Sequence, residues 1–120
     1  MSGLFSYPKR KLRKLISQGE YEKAIEFGGE LEAKSPKDLD LLFIMGSMFY
    51  ILNDEKKTLH YIDRVLEINP YDVESLSLKL RVHQFLKEND IVIDCCKKIL
   101  EVTPDNFEVR DLITELESQS

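Results

Sequence analysis

Apolar residues along this chain fall into short runs with helical spacing, and polar breaks separate the runs at regular intervals. From Asp38 onward, Leu42, Met45, Phe49 and Leu52 step by three, four and three, which lines one face of a helix; Leu41 and Met48 widen the stripe. Asn53-Asp54 then interrupts it, asparagine being suited to the left-handed conformation that ends helices. A second amphipathic run follows, Leu59, Ile62 and Leu66 flanked by Tyr61, Val65 and Ile68, and it stops at Asn69-Pro70. The next stretch repeats the layout. Leu76, Leu80, His83 and Leu86 precede a polar break at Lys87-Glu88-Asn89-Asp90, and Val92, Cys96, Ile99 and Leu100 follow it. The first stretch is rougher, but Gly19 stands one interval before Asn53 and is expected to cap the same helix end. After Pro104 one further helix fits, with Val109, Leu112, Ile113 and Leu116 on one side. The pattern predicts three helix pairs and a closing helix.

The punctuation is as regular as the stripes. Pro36, Pro70 and Pro104 stand 34 residues apart, in phrases such as "LEINPYD" and "LEVTPDN". Two residues after each proline comes Asp38, Asp72 or Asn106, followed by apolar Leu39, Val73 or Phe107. Proline cannot continue a helix, whereas Asp and Asn are strong N-caps for the next one. Each phrase therefore reads as a helix end, a tight turn and a helix start. Self-similarity at such a period is the mark of a stacked-repeat architecture, here an all-α solenoid.

These residues resemble the tetratricopeptide (TPR) repeat, a helical hairpin of about 34 residues. The prolines match the family's usual end of the second helix. Gly46 supplies the small residue expected at the eighth position, Phe49 the aromatic three residues later, and Ala24 in "YEKAIEF" the small residue near the start of a second helix. The chain departs from the pattern at Leu12 and Leu80 (eighth positions), at Thr58 and Val92 (second-helix small site), and at Pro8, Leu42 and Leu76, where the family has tryptophan. The resemblance implies a right-handed superhelical array of antiparallel hairpins forming a single domain over 1–120. Its repeats would be 5–38, 39–72 and 73–106, with a capping helix at 107–118. A related helical-hairpin array satisfies the same period.

Composition narrows the functional classes. With 42% apolar and 32% charged residues, the 120-residue chain fits a soluble helical protein rather than a disordered one. No stretch approaches the roughly 18 consecutive apolar residues that would span a bilayer, and the order of charges in "MSGLFSYPKRKLRK" is not that of a secretory signal. Adjacent Cys95 and Cys96 suit neither a disulfide framework nor a metal motif, so a reducing cytoplasm is the expected location. The net charge of −5 opposes a dedicated nucleic-acid or membrane partner, but it is unevenly spread. Lys9, Arg10, Lys11, Arg13 and Lys14 precede the first acid, Glu20; at the other end Glu101, Asp105, Glu108, Asp111, Glu115 and Glu117 face Arg110 alone. The basic run "PKRKLRK" is expected to decorate a solvated first helix whose Leu12, Leu15 and Ile16 face inward.

The resemblance also implies where a partner would bind. Groove positions in the family fall at Asp40, Phe43, Ser47 and Tyr50 in the second repeat and at Glu74, Ser77, Arg81 and Gln84 in the third. The first repeat contributes Ser6, Lys9, Arg13 and Ile16, and the closing helix adds Asp111. Aromatic rings among polar groups suit an extended peptide or a partner helix, although Phe43 and Tyr50 also fit as ordinary packing residues. Family members that clamp chaperone tails hold the terminal carboxylate with a set of basic and amide residues. Lys9 matches that set, whereas Arg13, Ile44, Glu74 and Leu78 do not. A carboxylate buried beside Glu74 would be unfavourable, so that ligand is not expected.

Gly28-Gly29 interrupts the second helix of the first repeat. Either the helix bends there or a close neighbour fills the space, Leu4-Phe5 being expected ahead of a partner side chain. Cys96 reads as a core residue, Cys95 as partly exposed, His83 as a packing residue and His60 as solvent-facing. No phosphate loop, metal motif or nucleophile elbow is present, so neither catalysis nor a cofactor is expected. The expected function is binding of a protein or peptide partner in the groove. The alternative is a self-associating scaffold that joins its basic and acidic ends into a homo-oligomer.

Overall fold

The computed structural model describes residues 2–119, and the side chains of 7–119. Among the described residues there are helices only: α1 (Ser2–Ser17), α2 (Tyr21–Lys34), α3 (Leu39–Ile51), α4 (Glu55–Ile68), α5 (Val73–Phe85), α6 (Asn89–Val102) and α7 (Phe107–Ser118). This is the three-pairs-and-one arrangement that the stripes predict. Contacts divide the chain into two compact units, 1–61 and 62–120, with the division inside α4.

The breaks between helices recur in phase. Gly19, Asn53 and Lys87, each 34 residues from the last, take positive φ values of 74°, 59° and 60°. This left-handed residue turns the chain between the two helices of each hairpin; glycine adopts it freely and asparagine readily, while Lys carries a strain cost. The second kind of break uses a side-chain cap. Asp38 accepts from the Leu41 N–H, Asp72 from Ser75 N–H and Asn106 from Val109 N–H, at 3.1, 3.2 and 3.2 Å. The same geometry thus appears at the start of α3, α5 and α7, as the prolines and caps foretold.

In the first unit α1 packs on α2, and α3 packs on both. Leu12, Ala24, Leu41, Ile44, Met45, Met48 and Phe49 form its buried core, with Leu15, Ile16, Phe27, Leu31 and Tyr61 at the margin. Phe49 stacks on Tyr61 with ring centroids 5.8 Å apart, and the Tyr61 hydroxyl donates to Glu32 Oε1 at 2.7 Å. In the second unit α6 lies between α5 and α7. Leu76, Leu80, Val92, Cys95, Cys96 and Ile99 are its core. Each such aliphatic side chain contributes on the order of 1.5–3 kcal/mol when fully buried.

The second-helix sites Ala24, Thr58 and Val92 are all fully buried despite differing in size. Thr58 tolerates this because its hydroxyl donates to the Asp54 carbonyl at 2.8 Å, leaving no unsatisfied polar group. Leu52, expected on the buried stripe of α3, is instead exposed, since it is the C-cap where the helix lets go of the core.

The expectation that Leu4-Phe5 would fill the space over Gly28 falls on side chains that lie outside the described residues. Met45 of α3 occupies the space: a Cβ on Gly28 would run into Met45 Sδ and stand 2.9 Å from Met45 Cε, with Leu12 Cδ1 at 3.5 Å. The missing side chain lets α3 approach α2, and α2 is continuous through it. Among the described residues nothing stands within 4 Å of a Cβ built on Gly29. Gly29→Ala is therefore expected to raise stability by about 0.5–1 kcal/mol through helix propensity. Gly28→Leu should lower it by about 1–3 kcal/mol through overpacking against Met45. Urea denaturation of the two variants checks both signs. In the same assay Asp72→Ala should cost about 1 kcal/mol, because both the Ser75 N–H and its hydroxyl lose their acceptor.

Candidate partner-binding surface

The first unit brings α1 and α3 together at one polar corner. Lys9 and Arg13 are one turn apart on α1, so both reach the start of α3. Lys9 Nζ lies 3.2 Å from Asp38 Oδ2 and 3.4 Å from Asp40 Oδ2, and Arg13 Nη2 donates to Asp40 Oδ1 at 3.0 Å. Asp38 is thus both the cap of α3 and a partner of Lys9. The Lys9 side chain is only 18% exposed, while Arg13 and Asp40 are about half exposed. Exposed pairs of this kind contribute roughly 0–1 kcal/mol each. Their larger effect here is to neutralise two cations with two carboxylates.

Below this corner Phe43, Ser47 and Tyr50 continue from Asp40 in steps of three and four, along one face of α3. Phe43 and Ser47 are half-buried, and Tyr50 is 40% exposed. The face therefore runs from a paired charge cluster to a partly open aromatic surface. Among the other positions expected here, Ile16 is half-buried and packs on the core, and the side chain of Ser6 lies outside the described residues.

In the second unit Glu74, Ser77, Arg81 and Gln84 follow one face of α5. Ser77 is half-buried and the other three are exposed. Asp111 is exposed on α7. Ile44 and Leu78, which stand at clamp positions of the resembling family, are buried at 6% and 8% exposure, so they serve packing.

The corner was only partly foreseen from the sequence. Asp38 announced itself as a helix cap, but its pairing with Lys9 links residues 29 apart. That distance is set by how α1 and α3 pack, and no local pattern encodes it.

The remaining titratable groups fit a structural role. Cys95 is buried at 1% exposure, correcting the expectation of partial exposure: it packs with Cys96 on the core face of α6. Burial raises the Cys95 thiol above its ordinary range, and burial together with neighbouring Cys95 pushes Cys96 up to about 11. His83 is buried with its Nδ1 3.4 Å from a Glu88 carboxylate oxygen, yet this nitrogen makes no hydrogen bond. His60 is exposed, edge-on to Tyr61. Among the described residues no group of three or more His, Cys, Asp or Glu side chains is placed to hold a metal ion. No helix among them is long and apolar enough to cross a membrane.

Comparison with known proteins bears on the fold. The first TPR of Spaghetti (RPAP3), bound to HSP90 peptide SRMEEVD, superposes with a TM-score of 0.77 at 19% sequence identity. That alignment covers 93% of this chain and 91% of the other. The NMR structure of the first TPR domain of the human RPAP3 protein gives 0.75 at 19% identity, covering 92% and 87%. The chain has a TPR fold. No family model and no curated protein matches it by sequence.

Both thiols should resist an aromatic disulfide reagent at neutral pH in the folded chain and react fully in denaturant. The sign follows from the raised values: the folded state favours the neutral thiols, so this contribution is intact below the unfolded thiol range and is lost as pH rises toward the raised folded range, about 11 for Cys96. Rapid reaction of the native chain would contradict the burial of Cys95 and Cys96.

Proposed function

We propose that this chain is a non-catalytic protein-interaction module. It takes an extended peptide or a helix on first-helix faces, those of α1 and α3 in the first unit and that of α5 in the second. The partner-contacting residues are Lys9, Arg13, Asp40, Phe43, Ser47 and Tyr50 on the first unit, and Glu74, Ser77, Arg81 and Gln84 on the second. The carrying observation is the α1–α3 face, where a charge cluster at one end adjoins a partly exposed aromatic row. Such a row supplies contact area with few rotatable bonds, and the flanking polar groups fix the orientation of what lies on it. The same fold in Spaghetti (RPAP3) holds a peptide, which supports this use of the scaffold.

The ligand preference differs from that of an acid-tailed peptide. Lys9 and Arg13 are already engaged by Asp38 and Asp40, and an incoming carboxylate would have to displace those partners. Glu74 adds a further negative charge in the second unit. Neutral segments with aromatic or aliphatic side chains are the better match.

The test begins with peptides selected from a displayed random library on the intact chain, with affinities measured by calorimetry. Tyr50→Ala should weaken the best ligand by about tenfold or more, which is roughly 1.4 kcal/mol. Arg81→Glu should weaken it to a lesser degree. Ligands that bind both variants as well as the parent chain would place the interaction elsewhere.

A further inference from the structure

We propose that the outer face of α1 docks the acidic face of α7 from a second copy of the chain, joining copies head to tail. The cations of α1 fall into two sets. Lys9 and Arg13 turn toward the acids of α3, whereas Arg10, Lys11 and Lys14 are exposed on another side of the helix. With Tyr7, Leu15 and Gln18 they line an open hollow of about 560 Å³. Tyr7 is 63% exposed there, and Arg10 and Lys14 have no ion pair among the described residues. A second hollow of about 250 Å³ adjoins it between α1 and α2, sharing Lys11 and Leu15. Lys11 lies over the Phe27 ring in that hollow, 4.6 Å from its centroid.

The occupant is indicated by α7. Glu108, Asp111 and Glu115 are exposed and follow helical spacing along one side of it. Phe107 shares that side, four residues before Asp111, and is 67% exposed. No residue of α7 is fully buried, so its apolar surface is only partly used within its own unit. One helix thus offers three cations around an aromatic and aliphatic hollow; the other offers three carboxylates and the exposed Phe107 ring, over which Arg110 of the same helix lies 5.7 Å from the centroid. The net charge of −5 makes copies repel in most orientations and confines attraction to the basic end. Because the two faces differ, every copy brings one basic face and one acidic face to the assembly. A phosphate polymer would also meet the three cations, but it leaves Phe107 unexplained.

Light scattering of the intact chain over a range of concentrations is the test. At low salt the mass should exceed one chain and grow with concentration. It should fall to one chain near 1 M salt, where charges are screened beyond about 3 Å. Two double variants separate the faces: Lys11→Glu with Lys14→Glu, and Asp111→Lys with Glu115→Lys. Each alone should stay at the mass of one chain with unchanged helical circular dichroism, and their equimolar mixture should regain a larger mass. A parent chain that remains single at low salt and high concentration overturns the proposal, whether or not α1 retains nucleic acid. Assembly of either variant alone as readily as the parent overturns it as well.

Discussion

The side-chain cap two residues beyond each proline is the interaction on which the rest of the structure depends. It fixes where α3, α5 and α7 begin, and therefore which residues of each helix face its neighbours. A shift of one residue turns a helix by about 100°, which would swing Met45 away from Gly28 and Asp40 away from Arg13. The left-handed residue between paired helices acts in the same way at the opposite end. Gly19, Asn53 and Lys87 keep one phase, although Lys87 is strained in that conformation. Both kinds of break recur every 34 residues, so every hairpin inherits the same registration.

This explains why so much of the fold was legible in the sequence. Proline, an Asp or Asn cap and a 3.6-residue apolar stripe are local signals, and each has a local cause. Most of the core positions followed from them, among them Leu42, Met45, Phe49, Ile62, Leu76, Leu80, Val92, Cys96 and Ile99, whereas Leu52 and Leu86 at the helix ends are exposed and Thr58 is buried in place of Leu59. What escaped was set by packing between helices. Met45 entering the space over Gly28, Cys95 turning inward beside Cys96, and Asp38 reaching Lys9 all depend on the separation of two helix axes. Spacing along one helix does not encode that separation. The candidate surface was legible to the same degree: Tyr50 and Arg13 were foreseen as outward positions, while the pairing that neutralises Arg13 was not.

Charge gives α1 two different uses. One face is internally balanced, with its cations held by the acids of α3 beside the half-buried Phe43 and the partly exposed Tyr50. The other face keeps Arg10, Lys11 and Lys14 in solvent around a hollow. A single basic run in the sequence is thus divided by helical periodicity into a paired set and an open set. Such a division gives one short helix a face of paired charges and a face of open cations.

The account stands most directly on the recurrence of the cap and turn, and backbone NMR of the chain in solution measures it. The account predicts positive φ at Gly19, Asn53 and Lys87, and slow amide exchange at Leu41, Ser75 and Val109, whose N–H groups the caps hold. Extended or averaged conformations at those turns, or fast exchange at the three capped amides, would contradict it.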